Sequence, residues 1–160
     1  MFTLKTSLHF VIAAGIAAIT QTAAAQARPD YGTAIDLAGA KKIATKALAE
    51  CIKNKWNVAI AIVDNHGALV YFERLDNTQT ASMDIAVMKA RAAATYRRPT
   101  RAFADAIAKT GPAVMTLPGA IASPGGVPIM VDGKVIGGIG ASGVTGDQDE
   151  QCSNAGLAGM

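Results

Sequence analysis

The sequence predicts an α+β domain in which an antiparallel sheet of two hairpins carries helices packed against it. Three observations lead there. The first is the continuous apolar run Val58-Ala59-Ile60-Ala61-Ile62-Val63, which meets the turn Asp64-Asn65-His66-Gly67 and returns as Ala68 to Leu75. Such a run fits a strand buried on both faces. The second is Asp132-Gly133, set between Val127-Pro128-Ile129-Met130-Val131 and Lys134-Val135-Ile136. This dipeptide is the strongest short-range hairpin signal, because both central residues of a type I′ turn need φ > 0. The third is the helical spacing of the segments around these hairpins. Hairpins separated by helices favour antiparallel pairing over a doubly wound parallel sheet.

Each element has its own cause. Asp36 is the expected N-cap of a helix running to about Lys53, with Leu37, Ile43, Ala44, Ala47, Leu48, Cys51 and Ile52 on one face. After Asp76-Asn77-Thr78-Gln79 comes an alanine-rich helix, Ser82 to Arg97, with Ile85, Met88, Ala92 and Thr95 or Tyr96 expected inward; Pro99 ends it. Thr100 is expected to cap a shorter helix to Lys109, which Gly111-Pro112 stops. Residues 112–126 read mostly as loop, and Thr145 or Asp147 caps a last helix toward Leu157. Gly137, Gly138 and Gly140 stud the returning strand of the second hairpin. Glycines there weaken a strand, so they point to close approach by another backbone or by a ligand.

Residues 1–25 read as a secretory signal peptide. Lys5 supplies the positive n-region, Phe10 to Ile19 the apolar core, and Ala23-Ala24-Ala25 the cleavage signal. That core of about ten residues is well short of the ~20 needed to span a bilayer. The expectation is a chain cut near Ala25 and exported to the periplasm or beyond, with no membrane span, a linker at 26–35 and one domain at 36–160. Removing Lys5 leaves fourteen Lys/Arg against twelve Asp/Glu, a near-neutral balance that gives a nucleic-acid role no support. Cys51 and Cys152 are the only cysteines. An oxidising compartment invites a disulfide between the first and last helices, but two separate buried thiols fit the sequence equally well.

With these elements in place, the chain resembles the GlcG/HbpS-type haem-binding protein family. The match is carried by Val63-Asp64-Asn65-His66-Gly67-Ala68-Leu69 with Arg74-Leu75-Asp76, and by Met88-Lys89-Ala90-Arg91-Ala92-Ala93. It continues through Gly125-Gly126-Val127-Pro128-Ile129, Gly137-Gly138-Ile139-Gly140-Ala141-Ser142-Gly143 and Asp147-Gln148-Asp149. These motifs run in order over nearly the whole mature chain. The resemblance implies a compact profilin-like or sensory-domain-like scaffold, homo-oligomers, and haem or iron binding for some members, with haem b as the cofactor.

Candidate site residues follow from donor type and charge. His66 is the only histidine left after signal cleavage, so an imidazole ligand to haem iron would have to be His66; a polar turn residue is expected there in any case. Tyr96 is the fallback metal ligand, with Tyr71 and Met130 behind it by donor type, although each also reads as core or strand surface. Lys89, Arg91, Arg97, Arg98 and Arg101 form a basic segment with no acid between Ile85 and Ala104, suited to haem propionates or another small anion. A solvated face would look the same. Arg74 could clamp a carboxylate, and Pro124-Gly125-Gly126 could offer successive amides to an anion. Asp64 more simply bonds its own turn. Two functions follow. One is an exported, non-covalent binder of haem or a small anionic ligand. The other is an enzyme acting on a small organic acid through Arg74, Lys89 and a Gly125-Gly126 backbone anion site. No nucleophile–base pair, phosphate loop or metal-ligand cluster is legible.

Overall fold

The computed structural model describes residues 27–160. The proposed signal peptide therefore lies outside the described residues. The order of elements is α1 (Leu37–Lys53), β1 (Ala59–Asp64), β2 (Leu69–Arg74), α2 (Ser82–Tyr96), α3 (Arg101–Thr110), a 3₁₀ turn (Pro112–Thr116), β3 (Gly126–Val131), β4 (Lys134–Ser142) and α4 (Gly146–Leu157). The four strands form one antiparallel sheet in the order β2-β1-β4-β3. This is the α+β architecture that the two hairpin signals predict.

Alternation along β1 divides the core. Ile60 and Ile62 join Ile129, Ile139 and Ala141 on one face, under Ile43, Ala44, Ala47 and Leu48 of α1 and Cys152 of α4. Ala59, Ala61 and Val63 point the other way and meet Ala86, Ala90 and Ala94 of α2. The sheet is thus sandwiched between α1 with α4 on one side and α2 on the other, and β1 is buried on both faces as its apolar run requires.

The α2 face is built from the smallest side chains available. A Cβ at Gly138 would collide with the Ala90 carbonyl, and one at Gly140 with the Ala86 carbonyl. Gly138 and Gly140 therefore admit a helix backbone, not a ligand. This corrects the inward face expected for α2. Ala92 is buried as expected, but Ala86, Ala90, Ala93 and Ala94 are buried too, together with Ser82 and Lys89, whereas Met88 is 47% exposed and Thr95 faces solvent. On α1, Leu37 and Ile52 are likewise exposed, because the buried stripe runs through Ala40, Ile43, Ala44, Ala47, Leu48 and Cys51.

Caps and turns agree with local chemistry. The Asp36 carboxylate accepts from the Gly39 amide at 2.8 Å, and Thr145 forms a reciprocal capping box with Gln148 at the start of α4. Thr100 does not cap α3 with its side chain; its hydroxyl donates instead to the Ser123 carbonyl at 2.7 Å. Asp132 and Gly133 both have positive φ, as a type I′ turn demands. Cys51 and Cys152 are joined as a disulfide that ties α1 to α4, resolving the alternative the sequence leaves open.

The residues before α1 are more than a linker. Val135 donates its amide to the Asp30 carbonyl, Gly32 donates to Val135, and Ile35 to Ile136. Asn65 donates its side-chain amide to Gly32 at 2.7 Å. Residues 28–36 thus form a strap laid beside the start of β4, beyond the point where β1 ends.

Candidate functional site

The structure scatters the residues singled out from sequence over several places. Lys89 lies inside, with its side chain 1% exposed. Its ammonium donates to Asp149 Oδ2 at 2.7 Å and to the Ala141 carbonyl at 3.1 Å. Asp149 also accepts from the Val144 amide through Oδ1. Burial pushes the Asp149 carboxyl upward, and the hydrogen bond and charge of Lys89 pull it partly back. Lys89 is therefore already paired and screened from any ligand.

Gly125 and Gly126 belong to the same buried seam. A Cβ on Gly125 would press on Asp149 and on the Lys89 ammonium, and one on Gly126 would strike the Lys89 carbonyl. The Gly126 amide donates to Thr100 Oγ1 at 3.0 Å, and the Gly125 carbonyl accepts from Ser153 Oγ at 2.7 Å and from the Ala141 amide. The two glycines let the loop before β3 close over the Lys89–Asp149 pair. With the Gly126 amide engaged by Thr100, they do not offer the pair of free amides an anion would need.

His66 and Arg91 sit together at the β1–β2 turn. Asp64 accepts from the His66 amide at 2.8 Å and the Ala68 amide at 2.9 Å, so its carboxylate bonds its own turn. Arg91 Nε donates to the Gly67 carbonyl at 3.0 Å and holds the turn against α2. The His66 side chain is on an exposed position and lines neither cavity described below. Arg74 stands apart at the exposed end of β2, where its guanidinium meets Met83 Sδ at 3.6 Å. Arg74, Lys89 and the Gly125-Gly126 loop do not converge on one point.

A different constellation does converge. The left-handed Arg97 at the C-cap of α2 turns the chain, and its guanidinium donates to the Pro29 carbonyl at 2.9 Å while lying 5.1 Å from the Tyr31 ring centre. Arg28 of the strap donates to the Tyr96 carbonyl at 2.7 Å. Arg98 stacks 4.3 Å over the Phe103 ring and 5.8 Å from Tyr96. These three arginines line a cavity of about 520 Å³ between the strap, the end of α2 and the β3 edge. Val127, Pro128 and Met130 form its sheet wall, and Pro99 and Ala102 its helical wall.

The electrostatics of this cavity are unbalanced. Among the described residues no carboxylate comes within ion-pair distance of Arg28, Arg97 or Arg98. Arg98 Nε is buried with no hydrogen-bond partner. Burial and then repulsion from Arg28 lower the pKa of Arg98, although a guanidinium remains charged throughout the working range. A buried donor left open costs about 1–3 kcal/mol, more when charged. Neighbouring Arg101 shows the contrast. It bonds Asp147 and Glu150 of α4 at 2.5 Å each, and those bonds raise its pKa.

Tyr96 does not line this cavity; its hydroxyl donates to the Pro118 carbonyl at 2.6 Å and its ring packs edge-on against Phe103. Met130 does line it. Sequence reasoning included Arg97 and Arg98 in a basic segment but missed Arg28, which it placed in a linker, and Asp149, whose partner is 60 residues away. No local signal reports either pairing.

Comparison with known proteins places this geometry in a family. GlcG of Escherichia coli is 38% identical over 93 residues, covering 58% of this chain and 69% of GlcG. A 15.0 kDa protein of the dhaT-dhaS intergenic region of Citrobacter freundii is 32% identical over 127 residues, covering 77% of this chain and 89% of that protein. The crystal structure of a double mutant of Streptomyces reticuli HbpS superposes with a TM-score of 0.74 at 32% identity, over 92% of this chain and 97% of HbpS. A haem complex of PduOC shares the fold, with a TM-score of 0.72 at 23% identity over 80% of this chain and 96% of PduOC. The family model described as haem degrading protein HbpS-like matches residues 35–158, from the end of the strap to the end of α4, and the chain belongs to that HbpS-like family.

Proposed function

We propose that this protein is an exported, non-covalent haem-binding protein, and that it holds haem b in the cavity of Arg28, Arg97 and Arg98. The observation that carries the reading is the convergence of three arginines on one cavity where, among the described residues, no carboxylate lies within ion-pair distance of them. Propionates match that demand, since carboxylates accept charge-assisted, bidentate bonds from guanidinium groups. Val127, Pro128, Pro99 and Ala102 supply the apolar walls a macrocycle needs, and Met130 brings the one thioether among the lining residues. Membership in the HbpS-like family and the haem bound by the structurally similar PduOC support the same ligand class. Haem would supply the redox and ligand chemistry; the chain's own residues supply charge, orientation and exclusion of water. No described helix is long and apolar enough to cross a membrane. Export and self-assembly into a homo-oligomer complete the proposal.

Hemin titration of the purified mature chain tests it. A Soret band should shift on binding, and Arg98→Ala and Arg28→Ala should each weaken binding about tenfold or more, the loss of one charge-assisted bond of roughly 1.5–3 kcal/mol. Arg74→Ala should leave the titration unchanged. Met130→Leu should move the bound spectrum if sulfur ligates the iron, whereas His66→Ala should not. Absence of a Soret shift, or one indifferent to both arginine variants, would overturn the assignment.

A further inference from the structure

A second cavity, about 790 Å³, shares no lining residue with the arginine cavity. It opens between strap residues 32–36, the first turns of α1 and the tip of the β3–β4 hairpin. Its walls are aliphatic. Ile35 and Ile43 are nearly buried in its floor, and Ile136 and Val131 close the hairpin side. Among the described residues no aromatic ring lines it.

Its rim is cationic. Lys42, Lys46 and Lys134 all line it, and among the described residues none lies within ion-pair distance of a carboxylate. Lys46 is engaged, donating to the Ala158 carbonyl at 2.8 Å. The stem of Lys134 lies against Gly32, where a side chain would crowd it. Two acidic side chains share the rim. Asp36 is committed to the Gly39 amide as the cap of α1, and Asp132 sits on the exposed hairpin turn. Lys42 and Lys134 thus remain open to an anion.

Taken together, an aliphatic floor beneath two open ammonium groups fits a ligand with an alkyl body and an anionic head. We infer that this cavity is a second binding site, separate from the arginine cavity, for an alkyl carboxylate. The alkyl chain packs on Ile35, Ile43 and Ile136, and the head group bonds Lys42 and Lys134. A cavity of this size lies within the ~300–1,000 Å³ range of small-molecule sites.

Calorimetric titration of the disulfide-bonded mature chain with hexanoate, octanoate and decanoate tests the site, with octylamine as the charge-reversed control. Affinity should rise about fourfold per added methylene, the fold-change that ~0.8 kcal/mol per CH₂ gives. Octylamine should give no saturable heat. Lys134→Met and Lys42→Met, both at the exposed rim, should each weaken octanoate severalfold without changing the circular dichroism spectrum, and Arg98→Ala should leave octanoate binding intact. Ile43→Trp should abolish binding by filling the floor; if that variant unfolds, the lysine variants decide alone. No octanoate binding at millimolar concentration, binding indifferent to both lysines, or binding lost in Arg98→Ala would each overturn the inference. The last result would transfer the carboxylate to the arginine cavity and leave the haem proposal standing.

Discussion

Replacing Lys89 by methionine separates a structural lysine from a ligand-binding one. The stem length is kept and the ammonium is lost. In the native chain Lys89 and Asp149 are 1% and 3% exposed and 2.7 Å apart. Removing one member of such a pair strands a charge in a poorly solvated place and typically costs about 3–5 kcal/mol. For a domain of this size each kcal/mol lowers Tm by roughly 3–5 °C, so Lys89→Met should lose on the order of 10–20 °C. The double variant Lys89→Met/Asp149→Leu should recover part of this, because no charge is stranded. It should not recover all of it, since the Ala141 carbonyl and the Val144 amide both lose partners, at about 1–3 kcal/mol for each group left unsatisfied. Urea unfolding of the wild type, both single variants and the double variant gives the coupling energy directly. A Lys89→Met chain within about 1 kcal/mol of the wild type would refute the reasoning. So would a stable Lys89→Met chain that no longer binds hemin, which would restore Lys89 to the ligand site.

Three further outcomes are expected. Gly140→Ala should destabilise by about 3 kcal/mol or more, the upper end of overpacking costs, because its new methyl would collide with the Ala86 carbonyl; urea midpoints measure it. Cys51→Ser/Cys152→Ser should lose roughly 4–5 kcal/mol by the loop-closure account, given a sequence separation of 101, and reductant should lower the Tm of the wild type but not of the variant. Thr145→Ala should cost about 1 kcal/mol through loss of the capping box at α4, read as a small drop in Tm with an unchanged spectrum.

The strands and turns were legible because their causes are local. Val58 to Val63 announces a doubly buried strand by apolarity alone, and Asp132-Gly133 fixes its turn by the φ its two residues must adopt. The inward face of α2 was not legible, and the reason is size. A search for an apolar stripe weighs Ile85 and Met88 above alanine, but the sheet opposite is Gly138 and Gly140, and only the Ala86-Ala90-Ala94 row fits against a surface without side chains. That choice of face carries Lys89 inward beside Gly126. The basic segment around it was readable as charge, but its division into a buried pair, a turn clamp at Arg91 and an open cavity at Arg98 depends on partners from α4, the β1–β2 turn and the strap.

The same close packing explains why the candidate sites lie where they do. With alanine and glycine filling the interface between α2 and the sheet, that layer has no room for a ligand. Open volume survives instead at the two margins where the strap meets the sheet, one beside the β3 edge and one at the β3–β4 tip. The strap lines both, residues 28–29 in the first and 32–36 in the second, and its anchorage to Val135, Ile136, Tyr96 and Arg97 holds both walls at once. A change that frees the strap should therefore weaken both sites together, unlike any single lining substitution. Asn65→Ala is the sharpest such change, since it removes the side-chain bond to Gly32 and Asn65 itself lines neither cavity. Losing one such hydrogen bond costs roughly 0.5–1.5 kcal/mol, enough to loosen the strap without unfolding the domain. Hemin and octanoate titrations of that variant should both weaken, with faster amide exchange at Gly32 and Ile35. Unchanged binding of both would show that the strap stays in place without the Asn65 bond.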